Sequence, residues 1–258
     1  MRTVTEQAFA ELVAPAAWHT VDLLSDLHLQ ASEPATFDAW RGYLETTPAD
    51  ALFILGDLFE VWVGDDAAAL PGFEAQCAEL LRAASLRRPI FFMHGNRDFL
   101  VGPDFAERCG ITLLEDPTVL VLHGKRWLLS HGDALCLEDT DYLKFRAQVR
   151  TPAWQQAFLA QPLETRRTLA RSMRTQSEAR KSTPGMVWAD VDADAARDWL
   201  ERANAHTLVH GHTHRPAEHA LGDGLRRIVL SDWDVAAHPP RAQVLCVSAS
   251  EARRVDVR

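Results

Sequence analysis

The amino-acid sequence predicts an α/β fold in which strands alternate with helices to form layers. Short apolar runs recur along the chain, and glycine or polar residues follow each run, as is typical of buried strands. Stretches rich in Ala, Leu, Glu and Arg lie between the runs and favour helices. The chain has 258 residues, of which 47% are hydrophobic and 24% are charged, so it can bury a large core. We therefore expect a single domain spanning residues 1–258.

The predicted strands follow in chain order from the apolar runs. The first five cover residues 21–24, 51–55, 90–93, 127–129 and 207–209. Residues 71–88 predict a helix, because Phe73, Cys77, Leu80 and Leu81 share one helical face. Residues 227–230 and 243–247 predict two further strands without a clear helix between them. Part of the sheet is therefore expected to be antiparallel or mixed.

Residues 134–200 are expected to form a helical insertion, or lid, within the domain. Thr151 and Pro152 mark a helix start, and Pro162 marks a second one. Between Thr140 and Ser182 there are nine basic and three acidic residues, a local net charge of +6. This charge indicates either a solvated basic face or a face that meets an anionic ligand, and the residues alone leave both interpretations open.

Composition and charge exclude several classes of protein. The formal net charge of −9 argues against a nucleic-acid binder that uses its whole surface. No apolar stretch is long enough to span a membrane, and Glu6 and Glu11 lie where a signal peptide is apolar, so an intracellular, soluble chain is expected. The four cysteines form no CxxC pair, which predicts reduced thiols rather than disulfides or a cysteine zinc site.

Polar motifs follow the first five predicted strands. They are Ser25-Asp26-Leu27-His28, Gly56-Asp57, Gly95-Asn96-Arg97-Asp98, His131-Gly132-Asp133 and Gly211-His212-Thr213-His214. Because the carboxyl ends of strands in an open α/β sheet line one crevice, these motifs are expected to converge. Side chains two residues apart on a strand share a face, which predicts that Asp26 pairs with His28, and His212 with His214.

The converging donors predict a site for two metal ions. The candidate ligands are Asp26, His28, Asp57, Asn96, His131, His212 and His214. Nitrogen and oxygen donors without thiolate favour Mn, Fe or Zn. Two such cations catalyse phosphoester or phosphoanhydride hydrolysis by polarising the phosphoryl group and activating water. Each motif alone is more often a turn than a ligand set, but the ordered combination favours the metal centre. The remaining histidines of the strand-like runs, His94, His123, His206 and His210, are interpreted as packing or loop residues.

In their order, the five motifs resemble those of the calcineurin-like metallophosphoesterase superfamily. This resemblance implies a four-layer α/β/β/α metallophosphoesterase sandwich around a binuclear centre. The superfamily pattern has a histidine directly after the asparagine, where this chain has Arg97. With that arginine and the extended motifs at 56–60, 131–136 and 211–216, the chain resembles the UDP-2,3-diacylglucosamine hydrolases of lipid A biosynthesis from about residue 21 to residue 234.

The resemblance also implies roles for individual residues. One metal ion would be held by Asp26, His28, Asp57 and His214, and the other by Asp57, Asn96, His131 and His212. Catalytic roles fall to Asn96, Arg97 and His212. The implied substrate contacts are Asn96, Arg97, Asp139, Tyr142, Ser177, Lys181 and His212, with a weaker match between Arg174 and Asp190.

The implied activity is the Mn-dependent hydrolysis of UDP-2,3-diacylglucosamine to UMP and 2,3-diacylglucosamine 1-phosphate. The chain would act as a monomer on the cytoplasmic face of the inner membrane, as a peripheral protein on anionic lipid, without nucleic acid as a partner. Apolar residues of the insertion would then receive acyl chains, and packing of the two helices on each other is the alternative for any one of them. These residues are Trp154, Phe158, Leu159, Leu163, Leu169 and Met173.

Two alternatives remain at this point. A metallophosphodiesterase or nucleotide pyrophosphatase of the same superfamily would use the same metal ligands on a soluble substrate. A scaffold that has lost its metal ions would keep the fold without activity, which the intact set of seven ligands argues against.

Overall fold

The computed structural model describes residues 8–181 and 189–257, apart from the side chains of residues 176–181. The described strands are β1 (Ala10–Val13), β2 (Thr20–Leu24), β3 (Ala51–Leu55), β4 (Ile90–Met93), β5 (Thr112–Leu114), β6 (Thr118–Leu122), β7 (Lys125–Leu129), β8 (Thr207–His210), β9 (Ala217–Gly222), β10 (Leu225–Val229), β11 (Gln243–Ser248) and β12 (Ala252–Asp256). The described helices are α1 (Pro34–Thr46), α2 (Asp66–Ala69), α3 (Phe73–Ser85), α4 (Pro103–Cys109), α5 (Thr140–Val149), α6 (Pro152–Leu159), α7 (Leu163–Lys181) and α8 (Ala193–Arg202).

The strands form two six-stranded sheets. The first sheet has the order β1-β6-β7-β8-β10-β9, and the second has the order β12-β11-β2-β3-β4-β5. In the second sheet β2, β3, β4 and β5 run parallel, while β11 pairs antiparallel with β2. In the first sheet β8 pairs parallel with both β7 and β10. Both sheets are mixed, as predicted, but the last two predicted strands, β10 and β11, belong to different sheets.

The two sheets pack face to face with helices on both outer faces. Side chains such as Phe53, Leu129 and Val209 fill the core between the sheets. On the outside of the second sheet, Leu52 and Ile54 join a core with Trp40 of α1 and Leu81 of α3. On the outside of the first sheet, Leu128 and Leu208 pack with Ala196 and Leu200 of α8. The predicted four-layer sandwich is therefore confirmed.

The position of β3 explains its sequence. All five of its residues are buried, because β3 lies between β2 and β4 and both of its faces are covered. A strand buried on both faces has a continuous apolar run rather than an alternating pattern. The apolar runs that precede the five polar motifs all form strands. β2 and β3 end at Leu24 and Leu55, directly before their motifs, and β4 ends at Met93, one residue before its motif.

Four α-helices, α5, α6, α7 and α8, lie between β7 and β8 in the described part of the chain. The predicted helix start at Thr151 is confirmed, since its hydroxyl accepts a hydrogen bond from the Trp154 backbone N–H. Helix α8 begins within residues 134–200 but ends at Arg202, and it packs on the first sheet. Among the described helices, none has both the length and the apolar character needed to cross a bilayer.

Candidate metal centre

The five polar motifs meet at one end of the sandwich, where strands of both sheets end. The motifs with Asp26, Asp57 and Asn96 follow β2, β3 and β4 of the second sheet. Those with His131 and His212 follow β7 and β8 of the first sheet. The predicted convergence is correct, and it depends on contact between the two sheets as well as on neighbours within one sheet.

The backbone of these motifs is not a strand. Several candidate ligands have positive φ, a conformation that non-glycine residues rarely adopt. They are Asp26 (56°), His28 (49°), Asp57 (53°), His212 (67°) and His214 (52°). The prediction that these side chains converge through strand alternation therefore gave the wrong cause. They converge because sharp left-handed loops turn them inward. Such local strain is typical of functional sites.

Asp26, His28 and His214 form one cluster of donors. His28 Nε2 lies 3.1 Å from His214 Nε2, and His214 Nε2 lies 3.3 Å from Asp26 Oδ1. The other oxygen, Asp26 Oδ2, accepts hydrogen bonds from Ser25 Oγ at 2.5 Å and from the His212 backbone N–H at 2.9 Å. Burial alone would raise the pKa of Asp26, but the neighbouring imidazoles, His214 first, hold it well below its usual range. Asp26 therefore presents a carboxylate oxygen to two imidazole nitrogens.

Asp57, Asn96, His131 and His212 form a second cluster. Asn96 Oδ1 lies 3.0 Å from His131 Nε2 and 2.8 Å from His212 Nδ1. Asp57 Oδ2 lies 3.7 Å from His131 Nε2, and Asp57 Oδ1 accepts a hydrogen bond from the Arg97 backbone N–H at 2.8 Å. Asp26, Asp57 and His131 also form a compact group, so in the structure Asp26 adjoins both clusters. The predicted pairing of Asp26 and His28 is seen, whereas His212 and His214 go to different clusters.

These donors fit divalent metal ions. Asp26, Asp57 and His131 are almost completely buried, and their carboxylate oxygens and imidazole nitrogens lie close to one another. Concentrating buried carboxylates and imidazole nitrogens in this way is costly unless a cation lies among them. Buried Cys77, Cys109 and Cys136 are not part of either cluster. The set therefore consists of nitrogen and oxygen donors, which favours Mn, Fe or Zn.

The electrostatics of the imidazoles differ within the site. Burial lowers the pKa of His212 to about 3 and also lowers that of His28. Burial opposes protonation of His131 too, but the carboxylates of Asp57, Asp26 and Asp133 outweigh it and raise its pKa to about 9. At neutral pH the His212 imidazole is therefore neutral and can bind a metal ion directly, whereas a metal ion must displace a proton from His131.

Two glycines allow this close approach. A Cβ at Gly95 would overlap the carboxylate and the backbone nitrogen of Asp57. A Cβ at Gly211 would overlap the side chains of Asp26 and Ser25. Both positions therefore require glycine, because any side chain there would overlap groups of the site.

Sequence reasoning missed several residues that support the centre. Asp98 accepts backbone hydrogen bonds from Gly95 at 2.8 Å and Leu58 at 2.7 Å, and so ties two ligand loops together. Asp133 contacts Tyr142 Oη and accepts a hydrogen bond from Arg146 Nε at 2.8 Å. Both carboxylates stand inside the quoted motifs, but nothing in the sequence separates a loop-bracing carboxylate from a ligand.

The predicted substrate residues lie around this end of the sandwich where the structure describes them. Arg97 directly follows Asn96, and its guanidinium lies 3.4 Å from Glu60. The Tyr142 ring stacks on the His212 ring with centroids 6.0 Å apart. Asp139 caps helix α5 by accepting a hydrogen bond from the Tyr142 N–H. The side chains of Ser177 and Lys181 lie outside the described part of the structure.

The basic charge of the insertion is largely paired with acidic groups. Arg166 is buried and pairs with Asp66 of α2, while Arg146 pairs with Asp133 and Arg174 pairs with Glu60. Arg150 donates a hydrogen bond to the Gly95 carbonyl oxygen at 2.8 Å. These arginines attach the insertion to the acidic body of the protein, so the interpretation of the segment as a solvated basic face is wrong for them.

The apolar residues of the insertion divide into two groups. Phe158 is buried in the core outside the second sheet, and Trp154 stacks on it with ring centroids 4.9 Å apart. Leu163 and Leu169 pack against the same core. Leu159 and Met173 keep 42% and 38% of their surface exposed. Helix packing therefore accounts for the first four residues, and only the last two offer substantial apolar surface.

Comparison with known proteins places this site in a family. The chain matches the calcineurin-like phosphoesterase family over residues 19–216. A UDP-2,3-diacylglucosamine hydrolase of Chromobacterium violaceum is 48% identical over 221 residues, covering 83% of this chain and 90% of that protein. A protein of the same name from Cellvibrio japonicus is 47% identical over 216 residues, covering 81% of this chain and 89% of that protein. Among solved structures, an archaeal phosphodiesterase is similar with a TM-score of 0.47 and 11% identity, over 92% of this chain and 98% of that chain.

The fold, the donor clusters and the family match define a calcineurin-like metallophosphoesterase. The resemblance inferred from Arg97 and the extended motifs is also confirmed by identities near half along most of the chain. Within the superfamily, the chain belongs to the UDP-2,3-diacylglucosamine hydrolase family. It is accordingly a hydrolase, and the scaffold alternative is set aside.

Proposed function

We propose that this protein hydrolyses the pyrophosphate bond of UDP-2,3-diacylglucosamine to UMP and 2,3-diacylglucosamine 1-phosphate in lipid A biosynthesis. The observation that carries the proposal is the 48% identity to a UDP-2,3-diacylglucosamine hydrolase across 90% of that protein. The geometry of the site supports it, since carboxylate and imidazole clusters lie beside a guanidinium at one end of the sandwich.

The donor clusters would hold two divalent cations. We assign Asp26, His28, Asp57 and His214 to one ion, and Asp57, Asn96, His131 and His212 to the other, with Mn(II) as the proposed metal. When bound, two such ions polarise the phosphoryl group, lower the pKa of water and stabilise the attacking and leaving oxygens. Asp57 is assigned to both ions because the family resemblance implies it, and its Oδ2 lies 3.7 Å from His131 Nε2 while Asp26 adjoins both clusters.

The other residues of the site would bind and orient the substrate. The Arg97 guanidinium offers a planar fork of donors that suits the oxygens of a diphosphate and stays charged at neutral pH. Asn96 and His212 join Arg97 as the proposed catalytic residues, because Asn96 directly precedes Arg97 in the chain and Asn96 Oδ1 lies 2.8 Å from His212 Nδ1. The proposed substrate contacts further include Asp139, Tyr142, Ser177 and Lys181.

We propose that the insertion, residues 134–200, serves as a lid for the acylated part of the substrate. Leu159 and Met173 supply the exposed apolar surface that acyl chains need. The same surface would let a monomer associate peripherally with the anionic cytoplasmic face of the inner membrane. No nucleic acid is proposed as a partner.

The proposal is tested by UMP release from purified protein supplied with Mn²⁺. Turnover of UDP-2,3-diacylglucosamine is expected to exceed that of UDP-glucosamine without acyl chains by a large factor. Equal rates on the two substrates would instead favour a nucleotide pyrophosphatase or phosphodiesterase with a soluble substrate. Membrane association is tested separately by flotation with anionic and with zwitterionic vesicles.

A further inference from the structure

Glu60 is a buried carboxylate that touches three positively charged or polar groups at once. It lies in the loop after β3, and only 6% of its surface is exposed. Its Oε2 lies 2.9 Å from His28 Nδ1. Its Oε1 lies 3.4 Å from the Arg97 guanidinium and also pairs with the Arg174 guanidinium.

The three partners of Glu60 come from different parts of the protein. His28 belongs to the first donor cluster, and Arg97 belongs to the loop after β4. Arg174 lies on helix α7 of the insertion. A buried carboxylate is costly unless its charge is compensated, so contact with these three groups is what makes the position of Glu60 favourable.

The contact with His28 affects the atom that faces the donor cluster. Glu60 Oε2 lies at ion-pair distance from Nδ1 without hydrogen-bond geometry, and the negative charge of an ionised carboxylate this close favours a proton on that nitrogen. That leaves the lone pair of Nε2 for the cluster, where Nε2 lies 3.1 Å from His214 Nε2 and 4.0 Å from Asp26 Oδ1. Carboxylates placed behind metal-binding imidazoles select the tautomer and orient the ring in this way.

We propose that Glu60 is a positioning residue that sets His28 for metal binding and couples the metal centre to helix α7 through Arg174. The proposal rests on the proposed function for the use of the metal ions and the lid. Loss of Glu60 would thus have two effects: a weaker metal site, and a helix α7 that is less firmly held against the body of the protein.

The effect on the metal site is tested by titrating metal-free protein with Mn²⁺ in a calorimeter. Glu60→Gln, which keeps the shape but removes the charge, is expected to weaken Mn²⁺ binding about 10-fold to 100-fold. Asp22→Asn is the matched control. Asp22 is equally buried and accepts hydrogen bonds from Tyr43 Oη at 2.8 Å and Thr47 Oγ1 at 2.9 Å, but it does not contact the site. Mn²⁺ affinity within about twofold of the unchanged protein in Glu60→Gln would overturn the proposal.

The coupling to the insertion is tested by amide hydrogen exchange along helix α7. Arg174→Ala and Glu60→Gln are both expected to increase exchange there, whereas only Glu60→Gln is expected to weaken Mn²⁺ binding. Unchanged amide exchange of helix α7 in Arg174→Ala would contradict the coupling. If Glu60→Gln fails to fold, Arg174→Ala alone still tests whether helix α7 depends on this contact. Both measurements are made without substrate, so their failure is distinguishable from failure of UMP release by the unchanged protein.

Discussion

His131 Nδ1 donates a hydrogen bond to the backbone carbonyl oxygen of Leu55 at 2.9 Å. Leu55 is the last residue of β3 in the second sheet, and His131 follows β7 in the first sheet. The hydrogen bond therefore joins the two sheets at the metal centre. It also leaves His131 Nε2 facing Asn96 and Asp57, so the ring orientation needed for a ligand is set before any ion binds.

Metal binding is predicted to compete with a proton on His131. The carboxylates around this ring outweigh its burial and raise its pKa from 6.5 to about 9, so the metal-free protein holds it protonated at neutral pH. A ligand imidazole must give up that proton, and Mn²⁺ affinity is therefore expected to rise with pH until about pH 9. His212, with a pKa lowered to about 3, is already neutral and adds no such dependence.

Nuclear magnetic resonance titration of the metal-free protein checks this prediction directly. The His131 ring should titrate near pH 9, and saturation with Mg²⁺ or Zn²⁺ should abolish its protonation at neutral pH. A His131 ring that is already neutral at pH 7 without metal would contradict the prediction.

Asp57→Ala is predicted to abolish hydrolysis and to lower the metal content of the purified protein. The reason is the proposed bridging role, since Asp57 lies between the Arg97 loop and His131. By contrast, Lys181→Ala is expected mainly to raise KM, because a substrate contact acts on binding more than on the chemical step. Mass spectrometric metal analysis and steady-state kinetics measure both effects, and near-normal turnover in Asp57→Ala would rule out the binuclear assignment.

Gly95→Ala is predicted to disrupt the metal centre by steric overlap alone. The new Cβ would overlap the Asp57 carboxylate, which has to shift, and overpacking of this kind costs about 1 to 3 kcal/mol. Gly42→Ala serves as the control, because a Cβ at this position in helix α1 meets nothing within 4 Å. The control is expected to stabilise the helix by about 0.5 to 1 kcal/mol. Denaturant unfolding and Mn²⁺ titration compare the two variants, and equal Mn²⁺ affinity in both would refute the steric explanation.

Two neighbouring residues of the insertion are predicted to have different roles. Phe158 is expected to stabilise the fold, whereas Leu159 is expected to contact the substrate. Phe158→Ala is expected to lower the free energy of unfolding by about 3 to 5 kcal/mol, because Phe158 is buried in the core. Leu159→Ala is expected to change it by less than about 0.5 kcal/mol, since Leu159 is 42% exposed.

Kinetics with the diacylated substrate complete that comparison. Leu159→Ser combined with Met173→Ser is expected to raise KM for UDP-2,3-diacylglucosamine and to leave turnover of UDP-glucosamine unchanged, because the exposed apolar surface serves only acyl chains. An unchanged KM for the diacylated substrate would remove these two residues from the proposed acyl site.

Local patterns in the sequence were enough to predict seven of the twelve described strands, the fold class and the metal-binding residues at the strand ends. The strands without a prediction are β1, β5, β6, β9 and β12. Buried strands need apolar runs. A metal site at the ends of parallel strands needs a metal-binding residue close after each run. The apolar stretch that forms β3 and the Asp57 that follows it show this clearly. The class of the active site was thus readable from the order of the motifs.

How these donors are grouped was not readable in the same way. His212 and His214 are two residues apart, yet left-handed turns send them to different clusters. Strand alternation, which holds only while the chain remains extended, predicted that these two histidines pair, whereas the family resemblance implied a separate metal ion for each. The partners of the arginines in the insertion were equally hidden, since Arg166 and Asp66 are far apart in the chain.

The sequence by itself therefore determined which chemical groups this protein brings to its site, because these follow from residue type and strand-end position. Only the tertiary structure decided which groups meet. Docking of one sheet on the other places His131 against Leu55, and folding of α7 onto the body places Arg174 against Glu60. The physical reason is that such contacts join segments remote in the chain, and their geometry depends on the packing of whole layers rather than on any local pattern.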